Sequence, residues 1–299
     1  MADLGIVIVS YNTRDLLRAC LRSVYASTGG LAIEVCVVDN ASQDDSAAMV
    51  AAKFPQAKLI TNTENVGYSR ANNQGLRALG LAGQMTDAPA FALLLNPDTE
   101  VPPDGLSAML RFMGKHADAG VAGPKLVLPD GSLDLACRRS LPTPKISAYR
   151  LLGLSRLFPR SRRFGLYNLT CLDPDKVAEV GSVVGAFMLV RREAVVQAGL
   201  MDEGFFMYGE DLDWAYRIAQ AGWKVYYNPA VTVLHVKRAA SRHSPRAQIE
   251  FFRAMEIFYR KHYAQETPRL LHVLIVSAVW LRTTFERLRH AWAGGGDRS

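Results

Sequence analysis

The chain has 299 residues, of which 49% are hydrophobic and 21% charged, a composition that excludes disordered, collagen-like and disulfide-stapled proteins. Its formal net charge of +7 is unevenly distributed: residues 235–299 carry 12 basic and 5 acidic side chains, and residues 136–172 carry eight basic and no acidic ones. The rest of the chain is therefore acidic overall. The two basic segments predict an anionic partner, such as a phosphate group, a nucleic acid or a membrane surface.

The cysteines and the N-terminus indicate a cytoplasmic protein. The four cysteines contain no CxxC pair, which favours a reducing compartment. The first residues, MADLGIVIVSYN, lack the pattern of a secretory signal.

The first half of the chain alternates short apolar runs with amphipathic stretches. Strands are predicted at 4–9, 33–38, 58–61 and 90–95, and helices at 14–27, 44–54, 69–79 and 103–116. Continuous apolar strands that alternate with helices predict an α/β fold, with a mostly parallel central sheet covered by helices on both faces.

Short polar side chains directly follow three of the predicted strands: Ser10-Tyr11-Asn12, Asp39-Asn40-Ala41-Ser42 and Asn96-Pro97-Asp98. Each sequence taken singly is also typical of an ordinary turn. In parallel sheets, however, ligands bind beyond the carboxyl ends of the strands, so three such ends predict a cleft. The Asp98 carboxylate at its edge is suited to a divalent cation that bridges two phosphates.

The second half contains a group of acidic residues after an aromatic patch. A strand is predicted at 183–190 and a helix at 191–198; Tyr208 then precedes Glu210, Asp211 and Asp213 at the start of a helix over 211–222. Acidic residues are favoured at any helix N-terminus. A positioned carboxylate is also what deprotonates a hydroxyl nucleophile.

Two short strands are predicted at 225–228 and 231–235, and the second ends at His235. A histidine at that point is compatible with a metal ligand, a base or a surface residue. Helices are predicted over 246–264 and about 268–292.

Six motifs in order resemble the family 2 inverting glycosyltransferases of the GT-A fold, and most of all their bacterial rhamnosyltransferase-like subgroup. They are IVIVSYN, VCVVDNASQDDS, NVGYSRANNQG, LLLNPDT, VVGAFMLVRREA and FFMYGEDLDWAYRIAQAGWKV, with LHV following. The resemblance covers about residues 4–240. It implies a GT-A domain over 1–240, with a basic acceptor-side insertion at about 136–172, and a helical region over 241–299.

The resemblance also implies roles for the matched residues. Asp211 matches the general base, and Asp98 and His235 match metal ligands for Mn²⁺ or Mg²⁺, although Asn96 replaces the first aspartate of the DxD motif. Asp39 matches the residue that bonds a pyrimidine base. The nucleotide would contact Ser10, Tyr11, Asn12, Asp39, Asn40, Ser42, Gly67, Arg70, Asn73 and Asn96. Acceptor-side positions are Tyr208, Glu210, Asp213 and Trp214.

These roles imply an inverting transfer from a nucleotide diphosphate-sugar. The subgroup favours dTDP-L-rhamnose, and a UDP-sugar is the other donor class. The cation would neutralise the leaving diphosphate while Asp211 takes the proton of the acceptor hydroxyl. A galactosyl, glucosyl or N-acetylhexosaminyl donor remains an alternative, as does a non-catalytic protein that binds nucleotide sugars.

The last helix predicts attachment to a surface. Its apolar core, residues 270–281, is shorter than the ~20 residues that span a membrane, and Arg282, Arg287 and Arg289 follow it. This pattern favours a helix lying on an anionic membrane, on the inner face of the bacterial plasma membrane. Packing on the catalytic domain or on the second subunit of a homodimer is the alternative.

A membrane position suggests a lipid-linked saccharide as the acceptor, and a polysaccharide is the other acceptor class. The anionic diphosphate of the lipid-linked saccharide could be held by basic residues of the 136–172 segment, namely Arg160, Arg162 and Arg163.

Two other classes are disfavoured. A nucleic-acid partner is not expected, because the body is acidic and contains no nucleic-acid-binding motif. A dinucleotide-dependent oxidoreductase would need GxGxxG after the first strand, where the chain has SYNTRD.

Overall fold

The computed structural model describes residues 2–83, 87–237 and 245–294. Within them, nine strands form one sheet: β1 (Leu4–Ser10), β2 (Ile33–Asp39), β3 (Lys58–Thr61), β4 (Phe91–Leu95), β5 (Thr99–Glu100), β6 (Ala119–Val127), β7 (Ala178–Glu179), β8 (Phe187–Arg191) and β9 (Lys224–His235). The strand order is β3-β2-β1-β4-β8-β6-β9-β5, and β7 pairs with β9.

The described helices are α1 (Arg14–Tyr25), α2 (Ser46–Lys53), α3 (Tyr68–Ala78), α4 (Gly105–Lys115), α5 (Pro144–Leu151), α6 (Leu154–Leu157), α7 (Arg192–Ala198), α8 (Glu210–Gln220), α9 (Pro245–His262) and α10 (Arg269–Gly294). A 3₁₀ turn spans Leu135–Cys137.

The sheet is mostly parallel, which confirms the predicted fold class. Strands β1 to β4 run in one direction, β8 lies antiparallel between β4 and β6, and β6 pairs parallel with β9. All seven residues of β1 are buried, so both faces of the sheet are covered at its centre. The apolar runs that predicted the strands therefore form the core.

Strand β6 is not anticipated by its sequence, AGVAGPKLV, which contains two glycines and a proline. Both residue types are ordinarily depleted in strands. In the structure Gly123 is required by packing, because a Cβ there would lie 2.7 Å from the Cβ of Val183.

The two strands predicted at 225–228 and 231–235 form one strand, β9, with an irregularity in the middle. Its register against β6 shifts between Pro124 and Lys125, where the partner moves from Asn228 to Thr232. Pro229 falls in the extra residues, where its missing N–H costs no ladder hydrogen bond.

The C-terminal helix α9 packs on α8. Phe205 and Leu212 form a small buried cluster with Ala254 and Phe258 of α9. The predicted domain boundary between residues 240 and 241 lies outside the described residues.

The final helix α10 contacts α9 and leaves one apolar face exposed, formed by Leu270, Leu274, Leu281 and Phe285. In the part of the chain that the structure describes, no helix combines the length and the hydrophobicity needed to cross a membrane.

Candidate functional site

The ends of β1 and β2 meet at one edge of the sheet, as the sequence predicts. Ser10 and Asp39 are register partners in these parallel strands. The Ser42 hydroxyl accepts a hydrogen bond from the backbone N–H of Asn12 at 2.9 Å. Tyr11, which precedes Asn12, is half exposed. The two polar loops therefore form one wall of a cleft.

Asp39 carries a buried acceptor at the end of β2, beside this cleft. The carboxylate is buried, and its Oδ2 accepts the backbone N–H of Ser42 at 3.0 Å. Its Oδ1 is buried without a partner among the described residues. A buried acceptor with no bond is costly, which makes this oxygen a candidate contact for a donor group of a ligand.

Other residues predicted to contact the nucleotide hold the loops together instead. The Asn40 amide bonds Asn65 at 2.9 Å and accepts Val66 N–H at 3.1 Å. Asn73 is buried and bonds both the carbonyl and the N–H of Met201. Their hydrogen-bonding groups are thus occupied by the protein itself.

Two more of the predicted nucleotide residues lie at the start of α3. Arg70 is exposed. Gly67 has φ +87°, and a Cβ there would lie 2.7 Å from the Phe206 carbonyl, so only glycine lets the two loops approach this closely.

A chain of contacts joins Asn96 to the predicted base. The Tyr68 hydroxyl lies 3.2 Å from Asn96 Oδ1 and 2.9 Å from the Gly185 carbonyl oxygen. The Gly185 N–H donates to Asp211 Oδ2 at 3.0 Å. Burial and the negative charges of Glu210 and Asp211 raise the pKa of Tyr68, so its hydroxyl stays protonated. The DxD-like segment and Asp211 therefore belong to one site.

Asp98 and His235 are brought together by the pairing of β5 with β9, in which Thr99 lies opposite His235. His235 Nε2 is 3.4 Å from Asp98 Oδ1. Its Nδ1 is 2.9 Å from Oδ2 of the buried Asp134, whose Oδ1 accepts from Lys237 at 2.8 Å. Asp134 therefore orients the imidazole so that Nε2 faces Asp98.

The pair fits part of a divalent cation's coordination shell. Neighbouring ligands of an octahedral cation with bonds of ~2.1 Å stand about 3 Å apart, close to the observed separation. Among the described residues, no cluster of three or more His, Cys, Asp and Glu side chains could hold a metal ion. A cation bound here would need its remaining ligands from a phosphate group or water.

Asp211 is the second residue of α8 and is held by a buried arginine. Its Oδ2 accepts Nη2 of Arg139 at 2.6 Å, in addition to Gly185 N–H, while Oδ1 accepts the N–H of Leu212 at 2.8 Å. Burial lowers the pKa of Arg139. The negative charge of Asp211 raises it, and the pKa is raised overall. Oδ2 is thus fully used, and Oδ1 retains room for a further proton.

Glu210 is the second buried carboxylate of this site. Its Oε2 has no hydrogen-bond partner among the described residues. Burial and the adjacent charge of Asp211 raise the pKa of Glu210. The two neighbouring carboxyl groups therefore differ in their protonation. Asp211 is paired with the guanidinium of Arg139, and Glu210 favours its protonated form.

Asp213 and Trp214, expected on the acceptor side, are fully buried instead. Asp213 bonds Arg217 at 2.8 Å and His262 at 2.7 Å and lies 2.9 Å from Lys261. The Trp214 indole N–H donates to the Gly199 carbonyl. The first residue attaches α9 to α8 and the second fills the core, because successive positions of one helix turn face different neighbours.

The remaining acceptor-side positions lie nearer the surface. Tyr208 adopts φ +72° and contacts the ring of Phe251 in α9. The basic segment exposes Arg160, Arg162 and Arg163, and the last of these bonds the Tyr149 hydroxyl at 3.1 Å.

Sequence reasoning missed three residues of the site: Arg139, Asp134 and Tyr68. Arg139 was counted only as part of a basic segment, although it is buried. Asp134 follows the turn PDGS, which contains no local sign of a partner 101 residues away. Tyr68 lies inside the recognised NVGYSRANNQG motif, which was the one available signal.

Comparison with known proteins gives consistent matches. The model of Glycosyl transferase family 2 matches residues 5–158. An N-acetylglucosaminyl-diphospho-decaprenol L-rhamnosyltransferase of Mycobacterium tuberculosis is 30% identical over 249 residues, which cover 82% of this chain and 80% of that protein. The low-salt glycan biosynthesis hexosyltransferase Agl10 of Haloferax volcanii is 24% identical and covers 95% of this chain and 86% of its own length.

A solved structure of GalNAc-T7 with UDP, GalNAc and Mn²⁺ has a TM-score of 0.59 and 17% identity. The match covers 90% of this chain and about half, 52%, of that chain. At this identity the likeness concerns the fold alone, which is the GT-A fold.

Proposed function

Since this chain belongs to glycosyl transferase family 2 and is a glycosyltransferase, we propose that it transfers L-rhamnose, with inversion, from dTDP-L-rhamnose to a lipid-linked saccharide. The observation that carries the proposal is the contact chain from Asn96 through Tyr68 and Gly185 to Asp211. These contacts support the proposal because they link a carboxylate suited to proton abstraction with the DxD-like segment.

The donor nucleotide would occupy the cleft at the ends of β1 and β2. The buried, unpartnered Oδ1 of Asp39 is suited to accept the N3–H of a pyrimidine base. Tyr11, half exposed beside it, offers a ring on which the base can stack.

Asp98 and His235 would hold a divalent cation, Mn²⁺ or Mg²⁺, with the rest of its ligands from the donor diphosphate. The cation supplies positive charge to the leaving group when bound. Asp134 contributes by fixing the orientation of the His235 ring, as partners of metal-binding histidines commonly do.

Asp211 would act as the general base. The acceptor hydroxyl gives its proton to Oδ1, its oxygen forms a bond to the anomeric carbon, and the bond from that carbon to the diphosphate oxygen breaks. One displacement of this kind inverts the anomeric configuration. Arg139 and Gly185 hold Oδ2, so the carboxylate cannot rotate away from the acceptor.

The acceptor and the location are supported by the charge distribution and by the relative from Mycobacterium tuberculosis, which is an N-acetylglucosaminyl-diphospho-decaprenol L-rhamnosyltransferase. The exposed arginines of the basic segment, Arg160, Arg162 and Arg163, would attract an anionic head group and surface. The exposed apolar face of α10 would rest on the cytoplasmic leaflet. In this arrangement residues up to about 240 carry the chemistry, and the helical region contributes attachment.

A panel of nucleotide sugars, with thermal unfolding as the measurement, tests the donor. dTDP-L-rhamnose with Mn²⁺ should raise the melting temperature more than UDP-galactose, UDP-glucose or UDP-N-acetylglucosamine, and chelation should remove most of the increase. A larger shift with a UDP-sugar would replace rhamnose by that sugar. Absence of any shift across the panel would contradict donor binding.

A further inference from the structure

A cavity of about 340 Å³ lies beside the segment that leads into the base. It is lined by Tyr208, three residues before Asp211, by Phe251 and Phe252 of α9 and by Arg282 of α10. Its volume is within the range of sites for small ligands, roughly 300–1,000 Å³. The cavity is therefore large enough for part of an acceptor.

The cavity is held rigidly next to the catalytic helix. A Cβ on Gly209 would lie 3.2 Å from the Cβ of Ala254, so α9 packs directly on the turn before Glu210. Lys261 and His262, at the C-terminal end of α9, form ion pairs with Asp213 of α8 and fix that end of α9. A group bound against Phe251 is thus kept at a constant distance from Asp211.

The cavity combines aromatic rings with the guanidinium group of Arg282 in its lining, and a second guanidinium, that of Arg150, lies close to it. The Arg150 guanidinium from the basic segment lies over the Tyr167 ring at 3.9 Å and is 5.8 Å from the Phe251 ring of the cavity. Arg282 lines the cavity beside the same ring. Neither arginine has an ion-pair partner among the described residues, whereas the one acid of the lining, Glu286, is paired with Arg289 at 3.0 Å. The site therefore offers positive charge next to an apolar surface.

Apolar side chains continue outward on the two elements that carry these arginines. Leu151 and Leu152 follow Arg150 and are more than half exposed. Leu281 and Phe285, next to Arg282 on α10, are exposed to a similar degree. A long apolar chain that leaves the cavity would find apolar surface on both sides.

From this arrangement we infer that the cavity is the seat of a prenyl diphosphate group: Arg150 and Arg282 bind the diphosphate, and Phe251 and Phe252 bind the first isoprene units. The inference rests on the proposed lipid-linked acceptor and specifies where its anchor sits. Charge-assisted bonds from arginine to phosphate supply affinity, and the rings distinguish a prenyl chain from a free anion.

Calorimetric titration of the full chain with farnesyl diphosphate tests the inference, with inorganic pyrophosphate, farnesol and phosphatidylglycerol vesicles as comparison probes. Farnesyl diphosphate should bind at least about tenfold more tightly than pyrophosphate or farnesol, because only it fills both halves of the site. Arg282→Gln should weaken that binding by about tenfold, the equivalent of one charge-assisted contact of ~1.4 kcal/mol. Phe251→Leu should weaken farnesyl diphosphate but leave pyrophosphate unchanged.

Arg269→Gln is the matched control, because Arg269 is an exposed arginine of the same helix outside the cavity lining. Equal affinity for pyrophosphate and farnesyl diphosphate would reduce the site to a free anion site and overturn the inference. An unchanged affinity in Arg282→Gln, or binding to vesicles alone, would overturn it too.

Binding of dTDP with Mn²⁺, measured on the same proteins, separates the two levels of the account. If the wild type does not bind dTDP with Mn²⁺, the proposed function is contradicted. If it binds dTDP but not farnesyl diphosphate, only the assignment of the cavity is contradicted.

Discussion

Arg139 donates from Nη2 to Oδ2 of Asp211 at 2.6 Å, and both side chains are almost fully buried. The same nitrogen also donates to the Val183 carbonyl, so the arginine is fixed on both sides of the contact. The carboxylate is therefore held in one orientation, with two hydrogen bonds to Oδ2 and one to Oδ1, which can accept a further proton.

This relationship predicts a kinetic effect of Arg139→Gln. Without the guanidinium the base loses its orientation, and kcat should fall by about 10²-fold, the lower part of the range for general-base catalysis. Removal of a positive charge also disfavours the ionised carboxylate, so the acidic limb of the kcat profile should move to higher pH. The measurement is kcat against pH for the wild type, Arg139→Gln and Arg139→Lys. Because lysine keeps the positive charge, the acidic limb of Arg139→Lys should stay close to its wild-type pH.

Arg138→Gln is a suitable control for this series. Arg138 is also buried, but it bonds the carbonyls of Leu172 and Asp173 and, within the described part of the chain, no carboxylate. A pH limb that stays in place in Arg139→Gln, or that moves equally in Arg138→Gln, would show that Arg139 does not act on the base.

Asp134→Asn should weaken metal binding, although Asp134 is not one of the proposed metal ligands. The carboxylate orients His235, and loss of such a partner typically costs 10- to 100-fold in metal affinity. Mn²⁺ titration followed by electron paramagnetic resonance, with dTDP present, gives the affinity directly. Asp130→Asn supplies the comparison, because Asp130 lies in the same segment but is exposed and, among the residues that the structure describes, bonds only Ser132. Identical Mn²⁺ affinities in the two variants would argue against the positioning role.

Asp213 should make the free energy of unfolding depend on pH in the acidic range. Burial opposes its ionisation, but bonds from His262 and Lys261 and the charge of Arg217 lower the pKa of Asp213 to about 2. Because the folded value is below the ordinary ~3.9, the contribution is present above pH 4 and is lost as pH falls towards 2. A shift of this size corresponds to roughly 2–3 kcal/mol.

Urea unfolding at pH 7 and at pH 3 measures this contribution. Asp213→Asn should lower the free energy of unfolding at pH 7 and reduce its fall between the two pH values, because the titrating group is gone. Asp15→Asn, at an exposed position of α1, should behave as the wild type. The same pH dependence in Asp213→Asn and the wild type would assign acid sensitivity to other groups.

The strands of the central sheet could be predicted because their side chains are apolar along their whole length, as in β1 and β4. The cleft at their ends could be predicted as well, since the polar residues directly follow these strands. Strand β6 could not, because Gly123 and Pro124 resemble a turn until the packing of Val183 is known.

The partners of the site residues were beyond sequence reasoning for a related reason. Arg139 and Asp211 are 72 positions apart, and Asp213 and His262 are 49 apart. Nothing local distinguishes Asp213, which pairs with residues of α9, from its neighbours Glu210 and Asp211 until α9 is placed on α8. Charge counting gave the sign of the basic segment but not that Arg139 turns inward.

The most direct test of the central claim is an assay of Asp211→Asn with dTDP-L-rhamnose, Mn²⁺ and a prenyl-diphosphate saccharide, with anomeric configuration read by nuclear magnetic resonance. The wild type should release dTDP and give a product of inverted configuration. Asp211→Asn should bind dTDP with nearly unchanged affinity and lose transfer by at least about 10²-fold. Retained transfer in that variant, or a wild-type product with the configuration of the donor, would contradict the account.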